Sequence, residues 1–207
     1  MNRRAAHFLC LLPLIVFAGE VLYAFCFRVG YPFGLEWMEG DLLIAAHRLA
    51  HGQAVYSRPD QWIAYFYPPL YLILWAPLVY FCGPAFWTGR LLSMLASVVT
   101  CIALGGFVRA RTGGWRPAWL AMGLFWGFYQ YTGQWLDLCR VDALMLAMAA
   151  AGIGAYAKSR NTGRMIWRVA SVLLLGSSPL AKQNGSAFLL AVGLFDMLVP
   201  SSPLPSP

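Results

Sequence analysis

The chain has 207 residues, of which 60% are hydrophobic and 11% charged, and its formal net charge is +7. A soluble domain carries about 45–50% apolar and about 25% charged residues, so a water-facing fold is excluded and an integral membrane protein is expected. The basic excess does not mark a nucleic-acid binder, because the basic residues gather in short loops between apolar runs, as the positive-inside rule describes.

Taken in order, the first apolar run is 8–28. It is too long for the core of a signal peptide, and no small-residue cleavage site follows it. Next comes a stretch of different character, 36–71, which holds Glu36, Glu39, Asp41 and Asp60, four of the eight acids. Residues 37–51 read as a surface helix. Leu42, Ala46, Leu49 and Ala50 form an apolar stripe, and Asp41, Ala45 and Arg48 lie on another face. Gly52 is its expected stop, Arg58-Pro59-Asp60 a turn, and Pro68-Pro69 the start of the next helix.

A membrane-crossing helix needs about 20 apolar residues. Six runs qualify, two of them short: 8–28, 86–108, 117–133, 142–157, 167–181 and 184–199. A seventh, 69–82, is shorter and contains Pro77, which leaves it between a span and an interfacial or re-entrant helix. Charge decides. If 69–82 does not cross, the N-terminal side receives Arg3, Arg4, Arg109, Arg111, Arg116, Lys158, Arg160, Arg164 and Arg168, nine of the fifteen basic residues. The other side receives Glu36, Glu39, Asp41, Asp60, Asp137 and Asp142. The expected fold is therefore an all-α polytopic transmembrane helix bundle of six spans, a single domain over 1–207. Its outer face carries 30–85, 134–141 and 181–184, and its N-terminus is cytoplasmic. The five cysteines show no CxxC pair and read as small buried hydrophobes. No internal repeat is present, and the closing SSPLPSP carries no structural signal.

The residues with chemistry fall on that outer face. Glu39 and Asp41 read either as a solvated helix face or as a base for an acceptor hydroxyl, with partial desolvation expected to raise the carboxyl pKa toward neutrality. Asp137, Arg140 and Asp142 lie at the mouth of a span, where charge is costly and tends to be functional. Asp142 and Asp137 are also the candidate ligands for a divalent cation, Mg or Mn. Lys182, beside Gln183, and Arg90 read as snorkelling side chains or as phosphate holders. Tyr56, Tyr67, Trp62 and Trp135 belong to an aromatic belt on which sugars also stack. His47 and His51, four residues apart, make a weak metal signal without a third ligand. Glu20, mid-span, has no assigned role.

Together these residues resemble the membrane glycosyltransferases of the GT-C fold, which include the protein O-mannosyltransferases, the aminoarabinose transferase of lipid A and the RgtA/B/C/D-like bacterial family. The resemblance covers nearly the whole chain. It rests on Glu39, Ala46, Gly52, Tyr56 and Pro68-Pro69-Leu70, on Arg140-Val141-Asp142, and on Lys182-Gln183. Met38 stands where that family has an aspartate, and the chain is shorter than family members, so it resembles the N-terminal part of a longer module. The resemblance implies a polyprenyl-phosphate sugar donor and a glycan, lipid or protein acceptor. It also implies Glu39 as base, Arg140, Lys182 or Arg90 at the leaving phosphate, and a bacterial inner-membrane location. The alternatives are a non-catalytic membrane protein, either a transporter or an assembly subunit, and an inactive truncated transferase.

Overall fold

Apolar runs of this length favour helices, because a chain in lipid must satisfy its backbone polar groups internally and a helix does so within one segment. The computed structural model describes residues 3–56, 58 and 65–199, and among them it contains eight helices and no strand. They are α1 (Arg3–Arg28), α2 (Trp37–Ala50), α3 (Leu70–Cys82), α4 (Phe86–Thr112), α5 (Trp115–Gly127), α6 (Val141–Thr162), α7 (Met165–Ala181) and α8 (Gly185–Leu198). The expected 58–60 turn, Asp60, Trp62 and the closing SSPLPSP lie outside the described residues.

Three helices, α1, α4 and α6, are long and apolar enough to cross a membrane. Bare flanks on α1, α4 and α7 fit the membrane character: Phe8, Ile15, Leu95, Ile102 and Leu173 are all more than half exposed. An apolar surface of that extent is stable against lipid and not against water. Two of the other expected spans, 117–133 and 184–199, are shorter than the sequence indicated, while the third, 167–181, is two residues longer. α5 has 13 residues, about 20 Å at 1.5 Å per residue. It ends at Gly127 because the polar segment after it turns back, with Gly133 and Gln134 both at positive φ. α7 and α8 have 17 and 14 residues.

The ends of the helices sort by charge. At one end, Arg90 at the start of α4 reaches the carbonyl of Arg28 at the end of α1. There too, Ser93 of α4 meets Arg140 ahead of α6, and Lys182 beyond α7 meets Asp142. This end, called acidic for its carboxylates Glu36, Glu39, Asp137 and Asp142, also holds the cations paired with them, Arg28, Arg90, Arg140 and Lys182. At the opposite end, His7 packs edge-on against Trp119 and Arg109 lies over Trp115. Lys158 lies over Trp167 there, and Arg160 pairs with Asp196.

Both ends of α3 lie at the acidic end. Tyr67, just before it, touches Met38 of α2, and α4 starts four residues after it. One face of α3 is buried through Tyr71, Leu72, Trp75, Ala76 and Val79, while Ile73, Leu74, Tyr80 and Phe81 are bare. The α3–α4 contact needs a glycine. A Cβ on Gly89 would stand 2.4 Å from the Trp75 ring and 2.8 Å from the Cys139 sulfur.

α2 buries Met38, Glu39, Leu42, Ala45 and Ala46. Ala45, expected on the polar face, thus belongs to the packed stripe, and Leu49 and Ala50 are only half-buried. The helix stops as expected: His51 caps it and Gly52 takes φ +69.

Candidate functional site

Three ionic clusters form at the acidic end, and they differ in burial. The innermost joins α2 to α4. Arg90 donates from Nε to Glu39 Oε1 (3.0 Å) and from Nη2 to Glu39 Oε2 (2.8 Å), and both side chains are fully buried. Its remaining N–H groups go to the carbonyls of Arg28 and Tyr31 (2.6 and 2.7 Å) and of Phe33 (2.8 Å). A guanidinium has five N–H donors, so Arg90 is saturated and has none left for a substrate phosphate. Glu39 in turn accepts from the backbone N–H of Leu35 (2.7 Å) and of Cys139 (2.9 Å).

This overturns the expected raised pKa. Burial does push the Glu39 carboxyl up. The hydrogen bonds from Arg90, Cys139 and Leu35, with the Arg90 charge, outweigh it and hold the group below its ordinary value. Glu39 is an ionised clamp that ties α2, the 28–36 segment, α4 and the turn before α6 together. It has no lone pair open to an acceptor.

The second cluster ties α1 to the 128–140 segment. Arg28 and the Tyr129 hydroxyl both donate to Asp137 Oδ1, at 3.1 and 2.8 Å, and Arg28 also bonds the Tyr129 oxygen. Asp137 is fully buried and its Oδ2 has no partner. Burial holds its pKa above the ordinary value, against the pull of Arg28 and Tyr129.

The third cluster is open. Arg140 donates to Glu36 Oε1 (3.0 Å) and to Asp142 Oδ2 (3.2 Å), and Lys182 donates to Asp142 Oδ1 (2.5 Å). The side chains of Glu36, Asp142 and Lys182 are 14%, 18% and 16% exposed. Glu36 is also the N-cap of α2, accepting the Met38 N–H at 3.0 Å. Aromatic rings wall the cluster: Trp135 lies 4.0 Å under the Arg140 guanidinium, and the Tyr67 ring is 5.8 Å from the Lys182 ammonium. The Tyr56 hydroxyl holds the Tyr67 carbonyl at 2.8 Å. The structure thus brings Arg140, Asp142, Lys182 and Tyr67 into one site, with Tyr56 behind them. Asp41 is exposed on α2, away from the buried stripe that carries Glu39, and Gln183 is exposed beside Lys182.

The two candidate metal carboxylates do not share a site. Asp142 is neutralised by Arg140 and Lys182, and Asp137 by Arg28. Among the described residues, no three His, Cys, Asp or Glu side chains converge on a point. The His47 and His51 rings lie 4.3 Å apart, tilted at 48°, and no third ligand joins them among the described residues.

Comparison with protein-family models, curated proteins and solved structures finds no match. The site is therefore read from its own geometry. Sequence reasoning assigned no role to Glu36. The signal was present, an acid directly ahead of a helix, which is an N-cap position. Nothing in the sequence showed that Arg140 would reach across 104 residues to it.

Proposed function

We propose that the chain is a membrane glycosyltransferase, or the N-terminal part of one, with a GT-C-like bundle of six spans and α3 at the interface. It works on a sugar carried by a polyprenyl phosphate. The observation that carries this reading is the open cluster, in which Asp142 is shared by Arg140 and Lys182 beside Glu36 and two aromatic rings. Two cations, a buried Arg140 and a partly exposed Lys182, next to a carboxylate suit a step in which a phosphate leaves and a hydroxyl loses a proton. The charge sorting of the helix ends supports a cytoplasmic N-terminus, in a bacterial inner membrane, with the cluster on the outer face.

In this step the acceptor hydroxyl gives its proton to Glu36 as its oxygen bonds to the anomeric carbon. The bond from that carbon to the lipid phosphate breaks, and its electron pair leaves on the phosphate oxygen. Arg140 and Lys182 turn from Asp142 to that oxygen and neutralise its charge. Trp135 and Tyr67 supply faces on which the sugar stacks. The base role passes from Glu39 to Glu36, because Glu39 is sealed by Arg90 and Glu36 is open. No step here requires a divalent cation.

The test is transfer of labelled sugar from polyprenyl phosphate by membranes containing the full-length protein. Wild type transfers, and Lys182→Met loses about 10²–10³ of the rate, the usual cost of one donor to a developing anion. Wild-type membranes that bind the donor without transferring it point to a transport or assembly role instead.

A further inference from the structure

We propose that the cavity between α6 and α7 at the basic end of the bundle binds the phosphate group of an anionic bilayer lipid. The cavity measures about 180 Å³ and is lined by Ser159, Arg160, Gly163, Arg164, Met165 and Arg168. It lies at the opposite end from Glu36 and Lys182, so it is independent of the transferase reading.

The lining follows from the helix ends. Arg160 is in the last turn of α6, Arg164 is the N-cap residue of α7, and Arg168 follows one turn later. Residues four apart share a helix face, so Arg164 and Arg168 present guanidinium groups on the same side as Arg160. Among the described residues the carboxylate facing them is Asp196 of α8, which accepts from Arg160 at 3.1 Å and from the Tyr156 hydroxyl at 2.6 Å. Arg164 and Arg168 thus add two guanidinium groups to a cavity that already holds the Arg160–Asp196 pair. Among the described residues neither Arg164 nor Arg168 is within salt-bridge distance of a carboxylate, and both are exposed. The start of α7 adds the positive end of a 17-residue helix to the same cavity. Planar guanidinium groups match phosphate oxygens two at a time.

The position identifies the source of the phosphate. Met165 and Ile166 are each 67% exposed, and Val169 is 45% exposed. The arginines thus alternate with bare apolar side chains on the first turns of α7. Trp167 lies 3.7 Å under the Lys158 ammonium, as an interfacial ring does. A ligand here approaches along the membrane boundary, with a charged head at the cavity and apolar chains against the helix. Basic pockets between membrane helices hold phospholipid head groups in this way.

The experiment uses the full chain in neutral detergent, titrated with phosphatidylglycerol, phosphatidylcholine or inorganic phosphate. Retained lipid is read by native mass spectrometry and the thermal midpoint is read in parallel. Phosphatidylglycerol is expected to bind and raise the midpoint, and phosphatidylcholine to do neither. The double variant Arg164→Gln/Arg168→Gln should weaken phosphatidylglycerol binding by about 30-fold, as expected for two basic groups at an anionic surface. Both side chains are exposed, and a lipid-free midpoint equal to wild type confirms that the variant folds. Arg109→Gln/Arg111→Gln removes the same charge at the same end outside the cavity and should change binding little. Equal losses from the two double variants overturn the site in favour of a diffuse surface field. Absence of phosphatidylglycerol binding overturns it outright, and equal stabilisation by inorganic phosphate overturns the lipid assignment.

Discussion

Arg90 grips both carboxylate oxygens of Glu39, at 3.0 and 2.8 Å, where neither side chain reaches solvent. A buried pair of this kind is a weak source of net stability but a costly thing to break, because the surviving partner is left charged and unpaired. Glu39→Ala should therefore lower stability by about 3–5 kcal/mol. Arg90→Met should cost at least as much, because it also unpairs the carbonyls of Arg28, Tyr31 and Phe33. Thermal unfolding in detergent measures both. Wild-type stability for Glu39→Ala would remove the clamp from the account.

The same pair sets a pH dependence. The folded pKa of Glu39 lies below its ordinary value. A group shifted this way adds stability above its unfolded pKa and loses it as pH falls through the folded pKa. The protein should thus lose stability below the ordinary carboxylate range, and Glu39→Gln should flatten that part of the profile. Asp137 works in the opposite sense. Its folded pKa is raised by burial, so its favourable contribution is present at low pH and is lost as pH rises through the folded value. Asp137→Asn should leave the acid loss in place, which separates the two groups in a series of melts from neutral to acidic pH.

Three carboxylates on or beside α2 separate fold from chemistry. Glu36→Gln should reduce sugar transfer by about 10²–10⁴, the range for losing a general base, and keep most of its folding stability because a glutamine still accepts the Met38 N–H. Asp41→Asn should transfer like wild type, since Asp41 is exposed away from the cluster. Glu39→Ala should lower the yield of folded protein, and total activity with it. Rates per folded molecule, with folding followed by gel filtration, sort the three outcomes. Full activity in Glu36→Gln would move the base elsewhere.

Much of this arrangement was legible in the sequence, and the reason is charge. Arg109 and Lys158 collect at one end and Glu39, Asp137 and Asp142 at the other, apart by the apolar length of α4 and α6, so a count along the chain places them in space. Leu42 and Ala46 of the α2 stripe and the Gly52 stop were legible for a local reason, since periodicity and capping act within a few residues. What was not legible is pairing over distance. Nothing local says that Arg90 would take Glu39 out of reach, or that Arg140 would choose Glu36 and Asp142. Those choices depend on how deep each side chain sits when α4 and α6 pack, as Ser93 does in bonding to the Arg140 backbone. The short α5 was missed for the same reason. Its expected run continues to 133, but the helix ends at Gly127 and the Tyr129 hydroxyl beyond it is bonded to Asp137.

Gly89 connects this packing to the site. A Cβ there would meet two atoms of the Trp75 ring, at 2.4 and 2.6 Å, and the Cys139 sulfur at 2.8 Å. The ring cannot swing aside freely, because Trp75 is fully buried and its Nε1 donates to Thr88 Oγ1 at 2.7 Å. Gly89→Ala should thus destabilise by about 1–3 kcal/mol, the usual cost of overfilling a packed core. Part of the strain falls on Cys139, whose N–H holds Glu39 and whose neighbour is Arg140. Transfer per folded molecule should then drop as well, although Gly89 touches no substrate. Pairing Gly89→Ala with Trp75→Phe makes room for the added methyl, so a double-mutant cycle should show a favourable coupling of about 0.5–3 kcal/mol. Additive losses in that cycle would mean that the glycine serves something other than the approach of α3 to α4.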